Sequence, residues 1–368
     1  MDVMEYQNRT QTRLIFTGME SLLPAMTTGQ DSSFEDQNQT TPIQVAHQTA
    51  GSSMTSSSSR GIRLYFQCGV LVVAIVGTAA NALVLYGLLA SKQHKKHALV
   101  FNQNLLDFAS CLLQAVMMAF LLCNIYLDGT LGYWLCMLLV SDCFSWGTSV
   151  GSTFNLAAIS IERYLKVVHH VWAKKNLRNW MTYSTIAFSW ISGIGIAVAA
   201  TFPTTDVVYG VCYYRSFFKS QTAKKVFGIW NLLSLYVIIL LIFVYCYGRI
   251  LAAIRRQARV MAAHSGQGLN TAQNQSDKIQ TSIIKTMILV SGLYAITWAP
   301  LYAAIILAYN FEYVMHENGL YTVLSIGYVY VCINPFIYAI KFDPVRRVLL
   351  GLIPCKNNMQ VPDDGSST

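Results

Sequence analysis

The segment AAISIERYLKVVHH, residues 157–170, sets a glutamate–arginine pair, Glu162–Arg163, at the end of a long apolar run. From Met137 to Ile161, Asp142 is the one ionisable side chain apart from cysteines. A charged pair at such a place is costly in lipid and wasteful in a soluble core. Its meaning depends on the solvent that the run faces, and the composition answers that. Of 368 residues, 54% are hydrophobic and 12% charged, where soluble domains carry about 25% charged residues. Seven segments hold the roughly twenty apolar residues that cross a bilayer core. They lie near 64–90, 98–123, 137–168, 180–202, 226–254, 282–309 and 319–340. None shows the alternation of a membrane barrel, and helices satisfy their own backbone polar groups in lipid. The expected fold is an all-α membrane protein: a seven-transmembrane helix bundle followed by a short amphipathic surface helix.

The net charge is +9. On a soluble protein that excess would suggest nucleic acid; here the positions of the charges matter more. Eighteen of the 26 lysines and arginines flank the spans on one side, among them Lys92, Lys174, Arg256 and Arg346, and eight fall on the other. The positive-inside bias makes the first side cytoplasmic, the N-terminus external and the C-terminus internal. Residues 1–63, with SSMTSSSSR at 52–60, read as a disordered extracellular tail. Residues 64–341 form the membrane domain, and 342–368 the cytoplasmic surface helix and tail. No apolar region opens the chain, so the first span is expected to direct its own insertion. Asn8 and Asn38 stand in acceptor triplets for glycosylation on the external side. Cys136 and Cys212 fall at outer ends of segments, where a disulfide between them would tie the second outer loop to the third span. Cys355 follows the last basic cluster, where palmitoylation is expected.

Polar groups inside the spans carry the information, since an ionised one costs about 2.5–3.5 kcal/mol near a helix centre. They include Asn81, Asp107 in FNQNLLDFAS, Tyr294, Trp298 and Pro300 in YAITWAPLY, and Asn334, Pro335 and Tyr338 in CINPFIY. Singly each has a plain reading. The amides and the carboxyl would form a buried cluster holding helices together, the proline a tolerated kink, the tryptophan core.

Together, and in this order, they resemble the rhodopsin-like (class A) G-protein-coupled receptors over residues 64–355. The resemblance rests on Asn81, Asp107, the Cys136/Cys212 pair, Glu162-Arg163-Tyr164, Trp190, Tyr247, Trp298-Ala299-Pro300 and NPFIY at 334–338. FDPVRRVLLGLI at 342–353 is similar to the family's surface helix. The resemblance implies a plasma-membrane receptor in which Glu162 neutralises Arg163 at rest. The sixth span then swings outward about Pro300, below the toggle Trp298 and Tyr294. Arg163 is released toward a heterotrimeric G protein, with Tyr247 and Tyr338 turning inward in support. It further implies a Cys136–Cys212 disulfide, arrestin and receptor-kinase partners, and no cofactor beyond a sodium ion at Asp107, helped by Ser152 and Asn334.

The chain departs from the family pattern at particular places. Gln103 stands where leucine is usual, four residues before Asp107, and Tyr330 where a shorter polar group is commoner. Ile239 takes the place of the fifth-span proline, so a straighter outer half is expected. Cys136 lies two residues further from Arg163 than is usual. Gln280 replaces the acid that pairs with the arginine from the sixth span, with Asp277 nearly a turn earlier, which predicts a weak lock and raised basal signalling.

For the ligand pocket the resemblance points to Asp142, Ser145, Trp298, Tyr302 and Tyr328. Opsins hold retinal on a lysine where this chain has Tyr328, which disfavours light. Amine receptors use an aspartate where counting gives Ser145. Asp142, a turn further out, either faces the pocket or caps the helix mouth in solvent. The second outer loop, basic at Arg215, Lys219, Lys224 and Lys225, suits a hairpin lid, and Glu312 and Glu317 oppose it. That split favours a peptide ligand, with a biogenic amine or other small molecule as the alternative. A non-signalling seven-span protein or a transporter is a remote reading, and no catalytic constellation suggests an enzyme.

Overall fold

The computed structural model describes residues 42–123, 125–208, 210–214, 220–263, 271–311, 313, 315–341 and 343–351. Asn8, Asn38 and Cys355 lie outside them, as do Arg215, Lys219 and Glu312. Helix α1 spans Pro42–Ala90. The stretch from 42 to 63, expected to be irregular, is therefore helical. Extending an existing helix adds one bond per residue without a new nucleus, so the apolar part can carry a serine-rich start. At its other end Lys92 takes a left-handed φ of 55°. The amides of Lys92 and Gln93 close back on the carbonyls of Leu89 and Leu88, 2.9 and 3.0 Å away, and end the helix.

Helix α2 is Ala98–Leu122 and the short α3 Gly129–Leu135. A π turn, Cys136–Val140, follows. Asp142 is left-handed at φ 57°, and regular helix α4 starts only at Cys143, ending at Val168. The third span was expected to run unbroken from 137. A π turn holds one more residue than an α turn. This turn and the Asp142 reversal take up the two extra residues between Cys136 and Arg163. Helices α5 (His170–Asn176) and α6 (Asn179–Thr201) come next. Strands β1 (Thr205–Val208) and β2 (Val211–Tyr214) pair antiparallel, Thr205 opposite Tyr214. Cys212 on β2 is disulfide-bonded to Cys136, with Cα atoms 5.3 Å apart, so the hairpin lies over the end of α4. Gly210, at φ 74°, turns the hairpin where a Cβ would meet the Tyr126 ring.

Helix α7 (Gln221–Leu232) passes through a second π turn, Leu233–Val237, into α8 (Ile238–Ala263). The straighter helix expected without a proline is not found, because the π turn interrupts it. Helices α9 (Thr271–Phe311) and α10 (Glu317–Lys341) contain Pro300 and Pro335. The last helix, α11, is Asp343–Gly351. Its Val345 is fully buried and packs toward Gly87 of α1, while Arg346 and Arg347 are exposed. That is the expected amphipathic surface helix.

Among the described residues six helical stretches are long and apolar enough to cross a membrane: 61–90, 98–122, 179–201, 221–256, 284–311 and 318–340. The seventh span is α4. Its 26 residues reach about 39 Å, more than a bilayer core of about 30 Å. It is less apolar because it stands inside the bundle, against α2, α6 and α8. Its buried side chains include Ser145, Thr148, Ser149, Ser152, Thr153 and Asn155. Small residues bring α4 and α6 together, as is common between helices in lipid. A Cβ on Gly193 would stand 2.3 Å from the Gly147 carbonyl oxygen and 2.6 Å from the Gly151 nitrogen. Both are backbone atoms that cannot move aside. Gly193→Val is expected to force the two helices apart at a cost of about 1–3 kcal/mol. The check is the unfolding temperature of the purified chain, which should fall by several degrees.

Candidate functional site

At the end of the bundle away from the hairpin, Arg163 projects from the last turns of α4 with 8% of its surface exposed. Its Nη2 is 3.6 Å from Glu162 Oε2. Glu162 is not Arg163's alone: Lys166 Nζ lies closer, 2.6 Å from Oε1. The other contact of Arg163 is His97, whose Nδ1 is 3.4 Å from the same Nη2. Burial first, and then the Arg163 guanidinium, push the His97 imidazole down to about 3. The ring is therefore neutral, and Nδ1 accepts from the guanidinium. Nothing in the local sequence of His97 points at α4. The side chains of Asp277 and Gln280 lie outside the described residues. Among those described, the acidic partner of Arg163 is Glu162.

Tyr164 faces outward, its hydroxyl 3.0 Å from His169 Nε2 and 3.3 Å from the Tyr245 hydroxyl. Tyr247 is buried between helices. Its hydroxyl is 2.8 Å from Ser160 Oγ and receives Ser291 Oγ at 3.3 Å, which ties α8 to α4 and α9. Tyr338 is buried with no hydrogen-bond partner for its hydroxyl among the described residues.

Half-way through the bundle sits Asp107. Its Oδ1 accepts from Ser152 Oγ at 2.6 Å and its Oδ2 from Asn334 Nδ2 at 3.0 Å. Gln103 Nε2 donates to the same Oδ1 at 3.4 Å and to Ser152 Oγ. From Gln103 the network continues outward. Asn155 Nδ2 donates to Gln103 Oε1 at 2.8 Å, and Asn102 Nδ2 to Asn155 Oδ1 at 3.0 Å. Trp190 Nε1 then donates to Asn102 Oδ1 at 2.9 Å. Asn81 stands apart, donating to the Gly77 carbonyl at 3.0 Å. Asp107, Ser152 and Asn334 thus meet as the sequence suggested, whereas Asn102 and Asn155 were missed. An asparagine in a helix shows its partner only when the facing helix is placed.

Both Asp107 oxygens face N–H or O–H donors, while Asn334 Oδ1 is buried with no partner among the described residues. Tyr330 and Val331, buried on α10, add no short polar group. Among the described residues no cluster of three or more histidine, cysteine or acidic side chains is built for a metal.

Above Asp107 lies an aromatic layer. Tyr294 and Trp298 have centroids 6.0 Å apart, Tyr294 and Tyr330 5.7 Å, and Trp298 and Tyr302 6.2 Å. Tyr302 stacks on Tyr236 at 4.9 Å. Two hydroxyls bind α9 to the second π turn. Tyr294 donates to the Leu235 carbonyl at 2.5 Å, and Tyr236 to the Ala295 carbonyl at 2.7 Å. Closer to the hairpin, Ser145 Oγ donates to Gln114 Oε1 at 2.9 Å. Tyr328 donates to Asp142 Oδ2 at 3.3 Å. Asp142 makes no capping bond and turns toward α10, so it is not a solvated cap. Its Oδ1 is buried without a hydrogen-bond partner among the described residues.

The profile described as "7 transmembrane receptor (rhodopsin family)" matches residues 80–338. Human melatonin receptor type 1B is 26% identical over 312 residues, 81% of each chain. Melanopsin-B of Gadus morhua is 25% identical over 303 residues, 80% of this chain. The chain spans 48% of that relative's length and 61% of the melanopsin of Podarcis siculus. The squid rhodopsin structure superposes with a TM-score of 0.63 at 19% identity, covering 79% of this chain and 80% of that one, a likeness of fold. With its helices, its disulfide-tied hairpin and the match over 80–338 in agreement, the chain belongs to the rhodopsin family of seven-transmembrane receptors.

Proposed function

We propose that this receptor sits in the plasma membrane with its hairpin outside, binds an extracellular peptide, and activates a heterotrimeric G protein. The observation that carries the coupling half is the loose hold on Arg163: a glutamate shared with Lys166 and a neutral histidine. A guanidinium so held is retained at rest yet released at small cost. The basic residues flanking α11 and α5 support the orientation. Arrestin and a receptor kinase belong to the same reading as further partners of the inner face.

A ligand reaching below the hairpin meets Asp142, Ser145 and Tyr328 and then the Trp298–Tyr302 layer. Pressure on that layer reaches α9 through Tyr294 and Tyr236, whose hydroxyls hold α9 to the π turn. Outward movement of α9 about Pro300 would part Ser291 from Tyr247 and leave both Tyr247 and Tyr338 to turn toward Arg163. The structured β1–β2 lid, with the exposed Lys225 beyond it, supports a peptide with an acidic group. Melatonin and opsin relatives do not bring their ligands with them. A retinal Schiff base needs a lysine, and α10 has none before Lys341. A second reading, an amine, is favoured by the buried, unpartnered Asp142 Oδ1. Asp142→Asn separates the two: it should abolish an amine response and leave a response borne by the lid.

Three outcomes test the coupling. Basal G-protein activation at matched surface level should exceed that of empty vector and vanish in Arg163→Ala; a silent native chain would remove the loose-hold argument. Lys166→Gln should return Glu162 to Arg163 and lower basal signalling about two-fold, the worth of one half-exposed i,i+4 pair. Tyr294→Phe removes one hydroxyl tie of about 1 kcal/mol between α9 and the π turn. It should raise basal signalling about five-fold, read in the same assay.

A further inference from the structure

Gln103 is fully buried, one helical turn before Asp107. Its carboxamide is saturated in a directed way. Nε2 reaches Asp107 Oδ1 at 3.4 Å and Ser152 Oγ, and Oε1 receives Asn155 Nδ2 at 2.8 Å. A cation binding between Asp107 and Ser152 would need Asp107 Oδ1 and Ser152 Oγ, which the amide already engages, while Oδ2 is met by Asn334. It would also stand beside the N–H face of that amide, whose partial charge is positive. We infer that the Gln103 side chain is a built-in, neutral replacement for the cation, so that this receptor is indifferent to sodium.

The chemistry of the replacement differs from that of an ion. A bound ion exchanges with solution, and its occupancy follows concentration. An amide on α2 cannot leave. It stays beside the carboxylate whatever the salt and links it onward, through Asn155 and Asn102, to Trp190 on α6. Any rearrangement at Asp107 must therefore act on the Ser152 or Asn334 bonds, which come from the neighbouring helices α4 and α10. The inference holds whichever ligand opens the receptor, because it concerns the resting bundle.

The test compares unfolding temperatures of the purified full chain in about 150 mM sodium chloride and in potassium chloride of equal ionic strength, which screens surface charges alike. The native chain is expected to show a difference below about 1 °C. Gln103→Leu, which removes the amide, is expected to gain a sodium-specific rise of about 2 °C or more, as a site-bound ion gives. That gain should disappear in Gln103→Leu with Asp107→Asn. A rise of that size in the native chain overturns the inference. So does its absence in a folded Gln103→Leu, because the exclusion would then lie with another group such as Tyr330. Should Gln103→Leu not fold, Gln103→Met keeps the length without the donor and is read the same way.

Discussion

A carboxyl group in the middle of a lipid-embedded bundle has to be met by donors from its own protein, and Asp107 is met from its own helix and two others. Left alone it would cost about 2.5–3.5 kcal/mol. Met as it is, it fixes α2 against α4 and α10 at one depth. The rest of the bundle is arranged around that contact. Because α4 supplies Ser152 and Asn155, one turn apart on the face toward α2, that face has to stand against protein. Because it stands inside, it can be polar, and it falls short of the apolarity that marks the other spans. The glycine contact packs α6 closely against another side of α4.

Much of this was legible in the sequence, for reasons that can be named. Spans announce themselves because lipid demands a run of apolar residues, and α2, α6 and α10 begin and end within a few residues of their expected limits. The Glu162–Arg163 pair, Asp107 and the NPFIY segment stood out because each breaks such a run. The two π turns were not legible. Their local sequences, CMLLV and LSLYV, are ordinary helix material. What makes the first a π turn is the disulfide at one end and the packing of α4 at the other, two fixed points with two residues too many between them. The Tyr294 hydroxyl shows the same logic at the second. It reaches the Leu235 carbonyl inside the π turn, so a residue expected only as part of the toggle is also the partner of a backbone distortion on another helix.

His97 and Gln103 make the same point at the site itself. Gln103 could be read only as a departure, and nothing in the sequence marks His97. Their roles come from side chains 66 and 49 residues further along, Arg163 and Ser152. Sequence reading finds residues whose chemistry is costly where they stand. It does not find the neutral groups that remove the cost, because an amide or an imidazole is unremarked until its partner is placed beside it.

These neutral partners bear on how the receptor is held at rest. Ionic holds are strong where water is excluded and weak where a second cation competes, and Glu162, shared with Lys166, is of the second kind. The hydrogen bonds that a neutral imidazole accepts and that an amide and two tyrosine hydroxyls donate are each worth about 1–3 kcal/mol. They are spread along the bundle from Tyr294 to Arg163 rather than gathered at one end. A resting state built from many modest contacts yields by their successive loss, each within reach of the differential affinity of one ligand. The contacts at Tyr294, Tyr247 and Arg163 lie in that order between the lid and the far end of the bundle. On the proposed function, the energy a ligand spends near the hairpin would act on these contacts one after another.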